Sequence, residues 1–168
     1  DIVGVASHNL AKRGMVRTFQ LTKALSKMTV IDNLKLGALH QCGENFIKSL
    51  FTPIWSSQER EIEARADALL DRFNLSHMRD EFAGTMSGGQ RKRVAMAKVL
   101  LAEPDLLIMD EPTNHLDLEM IEWLEGYLSQ KDLSLLLVTH DRYFLDRVCD
   151  SIIELEHADI FHYKGYYS

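Results

Sequence analysis

The chain has 168 residues, of which 46% are apolar and 26% are charged, and its formal net charge is −6. This length and composition are typical of one globular domain that buries its core without disulfides or structural metals. The acidic balance argues against a generic nucleic-acid coat, and no apolar run is long enough to cross a membrane. Cys42 and Cys149 lack metal-ligand spacing, so we expect two free thiols in a reducing cytosol.

Short, weakly patterned elements are predicted in the first third of the chain. Residues 9–14 favour a short helix that ends at a glycine, and residues 15–20, "MVRTFQ", favour a strand. A further helix is predicted to begin near Thr29, because Asp32 in its first turn is favoured by the helix dipole. Residues 41–57 contain glycine, proline and serines and predict a loop or a broken helix.

Two longer helices are predicted in the middle of the chain. The first spans residues 57–73, where one apolar stripe consists of Ile62, Ala66, Leu69, Leu70 and Phe73. The second spans residues 88–102, with Ser87 as its N-cap and Pro104 as the residue that stops it.

Strands and helices alternate in the last part of the chain. The predicted elements are strands at 105–112 and 133–141, helices at 117–128 and 142–149, and a two-stranded finish at 151–164 that turns near residues 157–159. The first two strands are short continuous apolar runs, which favour strands buried on both faces of a parallel sheet. The alternation predicts a right-handed crossover and an α/β fold.

Charge is unevenly distributed around residue 102. Residues 82–102 carry four basic residues and no acid, whereas residues 103–125 carry eight acids and no Lys or Arg. We expect most of these side chains to form solvated helix faces. Asp110 and Glu111 are the exceptions, because they directly follow an apolar strand.

An acidic pair at the end of a strand can organise magnesium and water. Ligands of α/β sheets bind at the carboxyl ends of the strands, which is where Asp110 and Glu111 are placed. Asp110 can hold Mg²⁺, and Glu111 can orient or deprotonate an attacking water. The alternative is that the two acids simply lie where the strand leads into a loop and bind no ligand.

Three other polar motifs are each ambiguous alone. "SGGQ" (Ser87, Gly88, Gly89 and Gln90) is either an anion cradle at a helix start or an ordinary N-cap. His140 follows the second predicted strand and either reaches a ligand or is a half-buried histidine with a backbone partner. Gln20 ends the strand "MVRTFQ" and indicates little by itself.

Together, in this order, the motifs resemble those of ATP-binding-cassette (ABC) ATPases. "LLIMDEP" resembles the Walker B strand, "SGGQ" the family signature, "NHLD" the D-loop, "VTHD" the switch histidine and "TFQ" the Q-loop. The resemblance covers nearly the whole chain and is most specific over residues 85–145. It implies an α/β, P-loop NTPase-like cassette with a mainly parallel sheet and a helical subdomain.

The resemblance also implies roles for the residues that face the chain's own nucleotide. ATP and Mg²⁺ would be the cofactors, and Asp110 would organise the metal. Glu111 would act as base toward the hydrolytic water, and His140 would contact the γ-phosphate. Gln20 would touch the metal and the water while sensing a partner.

Further residues would act across a head-to-tail dimer with a second cassette. Ser87, Gly88 and Gly89, with Gln90 in the same motif, would bind the γ-phosphate of ATP held by the opposite cassette. Asp117 would signal across that interface. The basic residues 91–93 support the anion site or form a solvated helix face.

The P-loop, GxxxxGK[ST], is absent from this sequence. In the family it lies upstream of the Q-loop, so the cassette is expected to be truncated at its N-terminus. The Q-loop and the helical subdomain are then expected at about residues 20–90, and the remaining motifs at residues 87–168. A chain that begins at Asp1 is expected to be processed or part of a longer protein. Without the loop and its lysine, this chain alone is predicted neither to bind ATP tightly nor to hydrolyse it. The missing strand would also leave unpaired strand edges.

The two halves of the chain resemble different branches of the family. Residues 1–90 resemble ATPases of branched-chain amino-acid importers, and residues from about 87 onward resemble ABC-F proteins. Natural recombination and a join made during sequence assembly would each explain this change of resemblance along the chain. We expect a cytoplasmic ABC-F-like ATPase linked to translation and the ribosome. The alternatives are an importer subunit that docks membrane permeases at the inner membrane without inserting, and a non-catalytic cassette that lends its signature face.

Overall fold

The structure is a computed structural model that describes residues 15–17, 25–38, 52–130, 133–157 and 159–165. Its strands and helices are β1 (Met15–Arg17), α1 (Val30–Lys35), α2 (Thr52–Arg72), α3 (Gly88–Leu101), β2 (Leu106–Asp110), α4 (Leu118–Gln130), β3 (Ser134–Val138), α5 (Arg142–Val148), β4 (Ser151–Glu156) and β5 (Asp159–Lys164). The helix predicted at 9–14 lies outside the described residues. Within the described ranges, no helix is long and apolar enough to cross a membrane.

A parallel sheet forms the centre of the fold. Its strand order is β1-β2-β3, and both pairings are parallel, with Leu107 opposite Val16 on one side and Leu135 on the other. The predicted α/β class is therefore confirmed. β4 and β5 form a separate antiparallel hairpin, as predicted, and His157 in its turn has a left-handed φ of 47°.

The prediction that both apolar strands are buried on two faces is wrong for β3. Leu107 and Met109 of β2 are fully buried, but Leu136 and Val138 of β3 are 52% and 56% exposed. In the described part of the chain, β3 pairs with β2 alone, so its other edge lacks a neighbouring strand. An apolar run predicts that a strand can be buried, but it does not supply the elements that bury it.

The long helix α2 begins earlier than its apolar pattern predicts. Residues 52–57 were expected to be part of a loop, yet the helix starts at Thr52. Pro53 is tolerated there because the first-turn amide that proline lacks has no partner inside a helix. The predicted stripe is confirmed, since Ala66, Leu70 and Phe73 are buried and the other two members pack against the core.

Helices α1, α2 and α3 pack together and set the start of α3. α1 begins directly after Thr29, close to the predicted start, and Thr29 caps it by accepting from the Asp32 amide at 3.2 Å. Arg79 lies in the segment between α2 and α3 and forms ion pairs with Glu63, Asp67 and Asp80. These contacts fix the chain segment that leads to Ser87.

Not every acid of the run at 103–125 is solvated. Glu125 was expected on a solvated helix face, but it is buried on α4, where its Oε2 lies 2.7 Å from Nη1 of Arg147 on α5. Glu103 pairs with Arg65 of α2 at 2.9 Å. A buried carboxylate needs such a partner, and this one joins two helices.

Cys149 is free, in agreement with the prediction, whereas Cys42 lies outside the described residues. Burial, followed by the charge of neighbouring Asp150, raises the pKa of the Cys149 thiol. A raised pKa keeps the thiol protonated, which is typical of an unreactive structural cysteine.

Two glycines in different surroundings give a matched stability test. A Cβ on Gly37 would lie 2.9 Å from the Lys98 carbonyl oxygen and closer still to its Cγ, whereas a Cβ on Gly126 meets nothing within 4 Å. We expect Gly37→Ala to lower the free energy of unfolding by about 1–3 kcal/mol through overpacking. Gly126→Ala, in the middle of α4, should raise it by about 0.5–1 kcal/mol. Urea denaturation of both variants checks this, and equal effects of one sign would contradict it.

Candidate functional site

Two polar faces of the chain contain the residues that the sequence predicts to be functional. One lies at the start of α3, and the other at the carboxyl ends of β2 and β3. The loop between β2 and α4 approaches the first face. The remaining predicted residue, Gln20, lies outside the described residues.

Ser87 and Gln90 form a capping box at the start of α3. The Gln90 amide donates to the Ser87 hydroxyl at 3.3 Å, and the Ser87 amide donates to the Gln90 side-chain oxygen at 2.8 Å. The serine hydroxyl still has its own proton to donate to a further acceptor. Gln90 thus has a structural function in shaping this end of the helix.

Gly88 and Gly89 form an open surface next to the capping box. A Cβ built on either glycine would meet no atom within 4 Å. Packing inside this chain therefore does not require glycine at these positions. A bare backbone at a helix N-terminus is suited to the close approach of an anion from outside.

The three basic residues that follow have different environments. Arg91 is exposed, whereas Lys92 lies 2.7 Å from Nε2 of His115. Arg93 is half-buried, and its Nη1 donates to the Phe73 carbonyl at 3.0 Å at the end of α2. The solvated-face interpretation therefore fails for Arg93, which ties α3 to α2.

The carboxyl ends of β2 and β3 bring Glu111 and His140 together. Asp110 pairs in register with Val138, and Glu111 follows with its amide donating to the Val138 carbonyl at 2.7 Å. Glu111 Oε1 lies 3.6 Å from His140 Nε2, and the imidazole is fully exposed. Glu111 also has a left-handed φ of 47°, which is costly for a residue other than glycine and is typical of functional sites.

Thr139 is a site residue that the sequence predictions did not include. Its hydroxyl accepts from the Asp141 amide at 3.2 Å, so its proton is available for Glu111 Oε2, which lies 3.2 Å away. The two oxygens of Glu111 therefore face different groups, Thr139 and His140. The signal was present, because Thr139 is the first polar residue after the apolar run of β3.

Asp117 caps α4 at the end of the loop that follows Glu111. Its Oδ1 accepts from the Met120 amide at 3.0 Å. This contact explains an aspartate at the helix start without any ligand. Asp117 is nevertheless exposed at the end of this loop. The loop is connected to α3 by the contact of His115 with Lys92.

The ABC transporter family model matches residues 4–114 of this chain. The chain belongs to the ABC transporter family. The match ends within the loop between Glu111 and Asp117, so it includes the signature and the Walker B strand. Family members bind nucleotide, which is consistent with the polar faces described above.

Curated relatives share high sequence identity with part of this chain. The ABC transporter ATP-binding protein YfmR of Bacillus subtilis is 65% identical over 82 residues, which are 49% of this chain and 13% of that protein. The energy-dependent translational throttle protein EttA of Mycobacterium tuberculosis is 53% identical over 108 residues, or 64% of this chain and 19% of that protein. ABC transporter F family member 5 of Arabidopsis thaliana is 48% identical over 89 residues, or 53% of this chain and 13% of that protein. This chain thus spans 13% to 19% of the length of these relatives, and its similarity to the F family agrees with the ABC-F assignment.

Solved ABC cassettes share the fold over most of this chain. A nucleotide-free ATP-binding cassette from an ABC transporter has a TM-score of 0.60 and 28% identity, and the match covers 94% of this chain and 63% of that one. An ATP-binding subunit of an ABC transporter has a TM-score of 0.73 at 23% identity, with coverage of 94% and 62%. The second likeness shows the fold alone. The expected cassette fold, incomplete relative to these structures, is therefore confirmed.

Proposed function

We propose that the chain is part of an ATP-hydrolysing cassette of ABC-F type that works with a second cassette. The observation that carries this proposal is the junction of β2 and β3, where the Glu111 carboxylate lies between Thr139 and His140. A carboxylate held by one hydrogen bond and facing a histidine is suited to orient and deprotonate a water. In this proposal Glu111 is the base, and His140 contacts the γ-phosphate.

Asp110 and Gln20 would hold Mg²⁺ in the proposed site. Asp110 ends β2, half-buried beside Glu111, and a carboxylate oxygen is the ligand type that Mg²⁺ prefers. The described residues contain no cluster of three or more acids, histidines or cysteines that could hold a metal alone. In sites that bind nucleotide, Mg²⁺ is usually held by one or two carboxylates together with substrate phosphates. Bound with ATP, Mg²⁺ would neutralise charge on the phosphates.

The start of α3 would serve the nucleotide of the opposite cassette. Ser87, Gly88 and Gly89 present a hydroxyl and bare backbone outward, and Gln90 shapes the helix end from which they project. Asp117 would contact the partner from the neighbouring loop. In the same proposal, residues 20–90 form the Q-loop and helical subdomain, and residues 87–168 carry the other motifs. The protein is proposed to be cytoplasmic.

The chain alone is expected to bind ATP weakly. The P-loop motif is absent from its sequence, and in P-loop ATPases that loop and its lysine contribute most of the contacts with the phosphates. Titration with a fluorescent ATP analogue at micromolar protein should show no saturable binding. Saturation in the micromolar range would contradict the prediction, and a complete cassette measured in parallel is the positive control.

Association with a complete cassette tests the proposed function. The partner should be an ABC-F cassette that has a P-loop and whose own base is replaced, so that it holds ATP without hydrolysing it. We expect sedimentation velocity to detect a complex with this chain in Mg·ATP and none without nucleotide. If the two proteins do not associate with ATP present, the proposal is wrong.

One observation supports the ABC-F proposal, and another supports an importer subunit. High identity to EttA, which is named as a translational throttle protein, supports a link to translation and the ribosome. The structural match to a cassette from an ABC transporter covers 94% of this chain and supports the importer alternative with permease partners. Stronger cosedimentation of the ATP-dependent complex with ribosomes than of the partner cassette alone favours ABC-F. Its absence, together with ATP-dependent binding to permease-containing vesicles, favours an importer. A cassette that lends only its signature face would do neither.

A further inference from the structure

A side-chain hydrogen bond joins α3 to the loop between Glu111 and Asp117. Lys92 Nζ, one turn into the helix, lies 2.7 Å from His115 Nε2. We infer that Lys92 and His115 are positioning residues that hold this loop against α3, so that the signature and Asp117 form one rigid face. The inference rests on the proposed function insofar as that face meets a second cassette.

The direction of this hydrogen bond is fixed by chemistry. A lysine ammonium has three donors and no acceptor, so Nε2 of His115 must accept with its lone pair. The contact therefore requires the tautomer whose ring proton lies on Nδ1. The contact is exposed, and it joins residues that are 23 positions apart in sequence.

The backbone of the loop indicates that it needs such support. Its two turns are closed by long backbone hydrogen bonds: the Asn114 amide donates to the Glu111 carbonyl at 3.3 Å, and the Leu116 amide donates to the Thr113 carbonyl at 3.2 Å. His115 itself has a left-handed φ of 72°. A non-glycine residue in that region is disfavoured, so a side-chain hydrogen bond at His115 helps to stabilise this backbone conformation.

The bond also connects the two segments that are proposed to act on the partner. Lys92 is five positions after Ser87 on the same helix, and His115 is two positions before Asp117. Among the described contacts, this is the side-chain hydrogen bond that links the loop to α3. The bond therefore provides a direct side-chain contact between the two segments, in addition to the packing of Leu116 against the core.

Amide hydrogen exchange of the free chain tests the bond directly. We expect Lys92→Met to speed exchange at Asn114 and Leu116 about threefold to tenfold, the effect of losing one ordinary hydrogen bond. Lys92→Arg keeps a cationic donor and should stay within about twofold of the unchanged chain. His115→Asn keeps a residue type that tolerates the left-handed backbone, but the asparagine amide lies closer to the backbone than Nε2 and cannot reach Lys92, so exchange should again be faster.

The double variant separates the bond from a general effect of charge. Because each single change removes the same contact, Lys92→Met with His115→Asn should exchange no faster than the faster single variant. Additive effects, or an unchanged exchange rate in Lys92→Met, would overturn the inference. Thermal unfolding midpoints should change by no more than a few degrees, since both side chains are exposed.

The functional consequence is measured in the association assay with the ATP-loaded cassette. Lys92→Met should weaken association about threefold to tenfold, and Lys92→Arg should restore it to within about twofold. If the unchanged chain does not associate, the proposed function fails, while exchange still decides whether the bond holds the loop. If Lys92→Met alters exchange but not association, the claim that the bond positions the partner-facing surface is wrong.

Discussion

Gly89→Asp is expected to weaken ATP-dependent association with a complete cassette by at least about 100-fold. The substitution places a carboxylate where the proposal puts the γ-phosphate of the opposite nucleotide. Juxtaposed like charges cost several kcal/mol, and each 1.4 kcal/mol corresponds to about tenfold. Sedimentation velocity or fluorescence titration with the ATP-loaded partner measures the change.

The same variant should fold normally, which makes the result interpretable. A Cβ on Gly89 meets no atom within 4 Å, and an acid in the first turn of a helix is favoured by about 0.3–1 kcal/mol. Gly89→Ala is the matched control, since it adds a methyl group without a charge. Equal losses for Gly89→Ala and Gly89→Asp would assign the effect to shape. No loss for Gly89→Asp would place the anion site elsewhere.

Phe73→Ala is expected to lower the free energy of unfolding by about 3–5 kcal/mol. Phe73 is 1% exposed and packs edge-to-face against Trp123 of α4, with ring centroids 5.7 Å apart. Its carbonyl also accepts from Arg93 of α3, so the position connects three helices. Urea denaturation, with the slope compared between variants, gives the difference.

Phe73→Leu provides the volume control for this prediction. It retains most of the buried apolar area and should cost about 1–1.5 kcal/mol. A loss below about 1 kcal/mol for Phe73→Ala would show that the surrounding side chains collapse into the cavity. The packing of α2, α3 and α4 would then be looser than described.

Local sequence patterns predicted most of the fold. The apolar stripe of α2, the serine cap of α3 and the alternation of strands and helices after residue 105 all recur in the structure. Each of these is determined by residues close in sequence, through helical spacing, capping or turn chemistry. The start of α2 was misplaced because Pro53 reads as a helix breaker unless it falls in the first turn.

What the sequence could not predict depends on partners that are distant along the chain. Glu125 belongs to an acidic run, and only the approach of Arg147 from another helix makes its burial acceptable. Leu136 and Val138 share one face of β3, and their exposure depends on which elements pack over that face. The contact of Thr139 with Glu111 likewise arises from parallel pairing of β2 and β3, which a single apolar run does not specify.

The release rate of ATP from a complete cassette tests the central claim most directly. A fluorescent ATP analogue is bound to an ABC-F cassette that cannot hydrolyse it, and its dissociation is followed after dilution into excess unlabelled ATP. If this chain covers the γ-phosphate with Ser87, Gly88 and Gly89, its addition should slow release by at least about tenfold, within the usual range of coupling between two ligands. The Gly89→Asp chain should leave the rate unchanged. A release rate that does not respond to the unchanged chain would contradict the account.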